Sequence, residues 1–267
     1  ERVVQTRVER LPHDARELLR TLAVAGRPLV QDTLFEAIRA TTLDPLGALA
    51  QLRAERLVRT RGPRSTDLVE AYHDRIRESV MAELESAALP GLHGALAHAM
   101  LASNRIEPEI LAHHFCEAGE LERATEHALI AAEAAEAAFA FDRAAALYAR
   151  AVGWGKVESD RLHEWMGKQG RALVHAGRTS EAAPVLLDAA QRAPADARRE
   201  LERQAVEAFL VAGHTDRGLE AAKPLLEALG ITYPSTPLRA LTTILRQMWR
   251  LQFERAEHEL PTPTQVS

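Results

Sequence analysis

The stretch from Arg161 to Pro194, RLHEWMGKQGRALVHAGRTSEAAPVLLDAAQRAP, constrains the fold more than any other part of the chain. Gly170 lies midway along one helical pattern, and Gly177 ends that pattern as a left-handed residue after a helix does. A second pattern follows with Ala182, Leu186 and Ala189 inward, and Pro194 stops it. Counted from His163 as position 1, these residues fall at positions 8, 15, 20, 24, 27 and 32 of a 34-residue helix–turn–helix unit. The small residues let the two helices approach closely, and the larger ones fill the layer between neighbouring pairs. One such unit cannot bury its own apolar face, so it requires neighbours on both sides.

Weaker copies flank it. With Thr125 as position 1, Ala132, Ala144, Tyr148 and Ala151 occupy positions 8, 20, 24 and 27, and Phe139 stands where glycine is usual. Aligned on Gly213, a third and degenerate unit puts Gly218 and Ala222 at positions 20 and 24. This spacing resembles the tetratricopeptide repeat (TPR), although Met166 and Leu173 replace the Trp and Tyr of its strictest signature. The resemblance implies a TPR-like α–α superhelix over residues 89–255. Ala, Leu, Glu and Arg dominate the composition, and these are strong helix formers.

The first third of the chain has a different rhythm. Leu18, Leu19, Leu22 and Ala23 recur at helical spacing after Pro12, and Gly26 ends that helix. Pro28, Leu29 and Val30 form an extended link, and Asp32 or Thr33 is expected to cap a second helix through Leu34 and Ile38. Asp44 caps a third, with Leu46, Leu49 and Leu52 inward. The period then changes: Leu57–Arg61 and Asp67–His73 read as strands around a turn-rich tip from Gly62 to Thr66. Three helices and a β-hairpin make a winged helix, expected over residues 1–88. A winged helix that reads DNA presents polar side chains on its third helix to the major groove. Here that helix offers Gln51, Arg53 and Glu55 among Ala and Leu, and the basic cluster of Arg59, Arg61 and Arg64 lies on the wing. The reading is of a packing and regulatory module, with phosphate contact by those three arginines as the alternative.

A net charge of -5 gives no global attraction to nucleic acid or anionic lipid. The single cysteine, Cys116, excludes an internal disulfide framework and points to a cytoplasmic protein. No apolar run approaches the ~20 residues that cross a membrane. The chain starts at Glu1 in a helical pattern, without an initiator Met or signal peptide, and reads as a segment of a larger protein.

Downstream of the hairpin, YHDRIRESVMAEL (Tyr72, His73, Asp74, Arg75, Ile76, Arg77, Glu78 and onward) leads to GLHGALAHAM and ILAHHFCEAGELERATEHALIAAEAA. This succession resembles the segment after the nucleotide-binding core in large bacterial STAND-type signalling ATPases. These include hybrid serine/threonine kinases with an ATPase module, related adenylate cyclases and ATPase-containing transcriptional activators. The stretch LLEALGITYPSTPLRAL (residues 225–241) resembles the segment that succeeds the repeats in the hybrid kinases. The resemblance implies a non-catalytic sensor and transducer arm without a cofactor, acting on its own ATPase or kinase domain or on a separate protein. An ATPase-linked transcriptional regulator touching DNA through the wing is the alternative. No GxxxxGK[ST] loop occurs. From helical register, Arg161, Glu164, Lys168, Arg171, Glu200 and Arg203 are the expected partner-binding residues on first helices of the pairs.

Other constellations read as structural. His113 and His114 are neighbours whose side chains diverge by about 100° on a helix, so they do not ligate one ion with Cys116. Asp74 reads as an N-cap and not as an acid–base partner of His73, and Cys116 as a small buried hydrophobe. Glu117, Glu120 and Glu122 read as a solvated acidic cluster. No metal ligand set is assigned. A last helix from Pro237, with Leu241, Ile244, Leu245, Met248 and Trp249, is either a cap on the repeats or an exposed surface, and residues 256–267 read as a disordered tail.

Overall fold

The computed structural model describes residues 2–62, 64–103, 107–155, 160–231, 241–246 and 248–249 of the 267. Among them are thirteen helices up to Ala228, a further helical segment at 241–246, and one small sheet. They divide into two compact units, residues 1–177 and 178–267.

The first unit opens with α1 (Arg2–Glu9) and α2 (His13–Ala25). Leu18, Leu19 and Leu22 bury one face of α2, and Gly26 ends it at φ 67°, a left-handed conformation that glycine adopts without Cβ strain. Strand β1 (Leu29–Val30) runs directly into α3 (Gln31–Ala37), so Val30 holds the cap position and the expected caps Asp32 and Thr33 lie inside the first turn. Helix α4 (Pro45–Ala54) begins as expected: the Asp44 carboxylate accepts the Gly47 N–H at 2.9 Å, and Pro45 occupies a first-turn position where no N–H is needed. Its buried face is Ala48, Leu49 and Leu52; Leu46 points outward, 65% exposed. Leu46 lies off the face that Ala48, Leu49 and Leu52 share, whereas Pro45 in the same turn falls on it and is partly buried.

Strands β2 (Val58–Thr60) and β3 (Leu68–Ala71) form the expected hairpin, and β1 adds to its other side. The sheet is antiparallel in the order β1–β3–β2, with Leu29 opposite Val69 and Arg59 opposite Glu70. The extended link of the sequence reading is therefore a strand. Beyond β3, His73 stays extended and caps α5 (Asp74–Glu83) through its carbonyl, which accepts the Ile76 N–H at 2.9 Å. Asp74 thus holds the first helical position instead of the expected N-cap, where its charge still complements the helix dipole.

Helices α6 (Leu89–Ala102), α7 (Pro108–Glu117), α8 (Leu121–Ala137), α9 (Phe141–Trp154) and α10 (Leu162–His175) follow, each of the last four packed on its predecessor. One apolar cluster runs from Val8 through α2, α4, the sheet and α5 into Leu96, Leu111, Phe115 and Ala124, so the core extends past residue 88. A forked ion pair from Arg27 to Glu107, 2.8 Å at each nitrogen, and a Thr33–Ser103 hydrogen bond at 3.1 Å fasten the same junction.

Alanine dominates the buried faces of these two packed helices: Ala124, Ala128, Ala131, Ala132 and Ala135 on α8 and Ala144, Ala145 and Ala151 on α9, with Leu147 and Tyr148 as the large members. Several helices in the chain end alike. After α7, Gly119 (φ 81°) donates to Cys116 and Glu120 to Phe115; after α8, Phe139 (φ 57°) donates to Glu136 and Ala140 to Ala135. The same pair of bonds recurs in the second unit at Gly213 and His214. This is the Schellman ending, and at Phe139 a bulky residue takes the left-handed place of glycine.

In the second unit, α11 (Thr179–Arg192) packs on α12 (Ala195–Val211), and α12 on α13 (Thr215–Ala228). Ala182, Ala183, Leu186, Ala189 and Ala190 are buried on α11, and Leu201, Ala205, Ala208 and Phe209 on α12. Gly218 permits the close approach of α13: a Cβ there would stand 2.8 Å from Leu210 Cδ2. Of the expected last helix, residues 241–246 are helical, and Leu241, Ile244, Leu245, Met248 and Trp249 are all more than half exposed. The rest of that helix and the expected tail at 256–267 lie outside the described residues.

Candidate interaction surface

Helices α8 and α10 present polar side chains one helical turn apart: Glu133 and Glu136 on the first, Lys168 and Arg171 on the second. The spacing of three residues keeps each pair on one face of its helix. Lys168 Nζ donates to Glu133 Oε1 at 2.5 Å, joining the two helices. Between them Tyr148 of α9, fully buried, donates its hydroxyl to Glu136 Oε2 at 2.9 Å, and the Lys168 ammonium lies 6.0 Å from the centroid of its ring. Burial, the hydrogen bond to Glu136 and the two carboxylates push the Tyr148 phenol well above its ordinary range, with Arg171 opposing them, so it remains a donor. The result is a charged, half-buried surface on a rigid, alanine-packed base.

Of the residues expected to bind a partner, Lys168 and Arg171 meet in this arrangement. Arg161 and Glu164 pair with each other at 3.2 Å at the start of α10. In the second unit, Arg203 on α12 forks onto Glu200 at 2.9 and 2.7 Å and reaches Glu207 at 3.0 Å, while Gln204 also donates to Glu200 at 2.7 Å. Glu133 and Glu136 were missing from the sequence reading, and Tyr148 entered it only as a packing residue. Their signal was present: counted from Thr125, the two glutamates fall at positions 9 and 12, and Arg171 falls at position 9 counted from His163.

On the sheet, the register that sets Arg59 opposite Glu70 makes an ion pair, Nε to Oε1 at 2.9 Å, and Arg61 shares the same oxygen at 3.2 Å. One carboxylate therefore offsets part of the charge of the two arginines. Arg64 is exposed at the hairpin tip, where its backbone N–H donates to Asp67 Oδ2 at 2.7 Å.

A separate cluster lies between α6 and α7. His93 of α6 and His114 of α7 are both buried, with their Nδ1 atoms 2.8 Å apart, and exposed His113 joins them. One ring nitrogen from each of the three lies within 4.8 Å of the others. The His93 ring centroid is 5.0 Å from that of His114 and 5.6 Å from that of His113. Burial lowers His114 to about 4, helped by the charges of His93, His113 and Arg27. Burial and the His113 charge also lower His93, against the pull of Glu117. The adjacent histidines come together through His93 of the neighbouring helix and not through Cys116. Cys116 is half-buried, not buried as expected; burial and Glu117 push its thiol up, which keeps it protonated. Of the acidic cluster, Glu120 pairs with His98 at 3.1 Å and with Arg123 at 3.5 Å.

No family model matches the chain, and no curated protein matches it. Among solved structures it is similar to the Signal Transduction ATPase with Numerous Domains (STAND) protein with a tetratricopeptide repeat sensor from Pyrococcus horikoshii, with a TM-score of 0.51 and 15% identity. The likeness is one of fold. It covers 84% of this chain and 33% of that protein's, so the present chain corresponds to about a third of the Pyrococcus protein's length. The chain thus has an all-α, TPR-like helical fold with one small antiparallel sheet. Among the described residues no helix is long and apolar enough to cross a membrane.

Proposed function

We propose that this chain is a non-catalytic regulatory arm of a multidomain, cytoplasmic signalling protein of the STAND ATPase type. It binds a protein, either the parent's own ATPase or kinase domain or a separate partner, through the polar face of its helical pairs. The observation that carries the reading is the linked set Glu133–Lys168 and Glu136–Tyr148 with Arg171 beside it, on a fold similar to that of a STAND protein with a TPR sensor. Charged groups held on rigid helices lose little conformational freedom on docking, which favours selective recognition of a complementary charged surface. The N-terminal helices and hairpin are read as a winged helix over residues 1–88, joined to repeats over 89–255. Arg161, Glu164, Glu200 and Arg203 are assigned to the same recognition role on their respective helices. Occupancy of that face would shift the equilibrium of an attached catalytic domain by the difference in affinity between its states.

The test is affinity capture from lysate of the source cells, with the native chain and a Lys168→Glu/Arg171→Glu chain as parallel baits, read by mass spectrometry. The parent's catalytic domains are added as purified prey in a second arm. Capture of a defined protein by the native bait alone, in either arm, is the expected result. Equal capture by both baits, or none in either arm, rejects the assigned face.

A further inference from the structure

Two helices supply His93, His113 and His114 within a few ångströms of one another, and the regulatory reading makes no use of them. We propose that these three imidazoles bind a divalent transition-metal ion of the zinc class, leaving one coordination position open to water or to a side chain from a partner.

The donor set suits such an ion. Zinc takes neutral imidazole nitrogens at about 2.0–2.1 Å, and three histidines with an open fourth position is a recognised arrangement. The three rings come from both sides of one helix–helix contact, so the ion would tie α6 to α7. His93 and His114 already face one another through their Nδ1 atoms, hydrogen-bonded at 2.8 Å. A tetrahedral ion needs about 3.3 Å between its ligand nitrogens, so the His93–His114 pair must open by about half an ångström and the exposed His113 ring, now within 4.8 Å, must swing in to close the set.

An ion held by the two facing Nδ1 atoms replaces the single hydrogen bond between the rings with two coordinate bonds, and it leaves the buried His114 Nε2 as it is, with no hydrogen-bond partner among the described residues. Burial disfavours the protonated form of both His93 and His114, and the neutral imidazole is the form that binds metal. His113 is exposed, which gives the ion a way in from solvent. Glu117 lies one turn beyond His113 on α7, and its charge acts on His93, so it is available to orient a ligand from outside the coordination shell.

The experiment uses the 267-residue chain, stripped with chelator and titrated with zinc sulfate by calorimetry, alongside metal analysis after dialysis and a cobalt(II) titration read by visible absorption. Expected are one zinc per chain, a higher melting temperature with zinc, and a cobalt spectrum showing nitrogen ligation. His113→Ala, at an exposed position, should leave the metal-free melting temperature unchanged and weaken binding about 10-fold or more. His93→Ala should abolish it, and if that variant fails to fold the His113 variant still decides. No saturable uptake by the native chain overturns the proposal. So does a site whose affinity is the same in the native chain and the His113 variant, because the ion would then be held by other groups.

Discussion

The hydroxyl of Tyr148 reaches across the α8–α9 interface to Glu136 Oε2 at 2.9 Å, from a side chain with no exposed surface. A buried phenol needs this acceptor, and the alanine layer around it supplies none. Tyr148→Phe keeps the packing and removes the bond. It is expected to cost about 1 kcal/mol and to lower the melting temperature by about 2–4 °C. Tyr148→Ala opens a cavity as well, at about 3–5 kcal/mol. Thermal denaturation followed by circular dichroism separates the two; a Phe variant as stable as the parent means the bond contributes nothing net.

Phe139 closes α8 in a left-handed conformation while 81% of it is exposed. Its side chain returns only an edge contact with Phe141, centroids 6.0 Å apart. Phe139→Gly relieves about 1–2 kcal/mol of backbone strain against an entropy cost of about 0.5–1 kcal/mol. The expected result is a net gain of about 0.5–1 kcal/mol, to be read from the urea midpoint at constant m-value. A loss of stability would mean that the Phe139–Phe141 contact outweighs the strain.

The Glu133–Lys168 pair allows folding and binding effects to be told apart. Lys168→Glu sets two carboxylates against each other and is expected to destabilise by about 0.5–1 kcal/mol, the scale of a part-exposed pair. The exchange Glu133→Lys/Lys168→Glu restores the attraction and should recover most of that loss, while still altering the charge pattern offered to a partner. Denaturation of both variants, set beside capture by both, checks this. If the exchange fails to recover stability, the pair is not isolated from its neighbours; if it recovers capture as well, the order of the two charges does not matter to the partner.

His127 stacks on Phe115, with centroids 5.4 Å apart and rings 7° from parallel, and its Nδ1 is buried without a hydrogen-bond partner among the described residues. Burial lowers its pKa; Arg123 acts in the same direction and Glu126 against it. Because the folded value lies below the ordinary value near 6.5, the unfolded chain takes up the proton first as pH falls. The stability is therefore fully present above about pH 6.5 and declines on acidification. His127→Phe keeps the stack and removes the proton site, so its melting temperature should fall less steeply between pH 7 and 5 than the parent's. Equal slopes would exclude His127 as a contributor.

Much of this architecture was legible because the small residues are diagnostic. Gly177, Ala182 and Ala189 mark one helix turn and the next, and the structure returns helices at Leu162–His175 and Thr179–Arg192. Gly62–Thr66 marked the hairpin tip. What escaped the sequence depends on contacts between elements. Leu29 and Val30 form too short a run to read as a strand until Val69 and Leu68 pair with them. His93 lies 20 residues before His113, and only the packing of α6 on α7 brings their rings together. Leu46 looked inward by its three-residue spacing from Leu49, yet the buried face of α4 runs through Ala48, Leu49 and Leu52 and leaves Leu46 to one side. The charged face was half legible: helical register found Lys168 and Arg171, but their counterpart glutamates lie on a helix two elements earlier.

The alanine layer between α8 and α9 has a consequence for how such chains diverge. Where nearly every inward position is already small, almost any replacement adds volume that the facing helix has no room to accept. Drift is then confined to the outward positions, which carry most of the letters and little of the packing information. Two lineages can keep the same stacked helices while sharing few residues beyond a spacing of alanine and glycine, and kinship between them is recorded in backbone geometry long after it has faded from the alphabet.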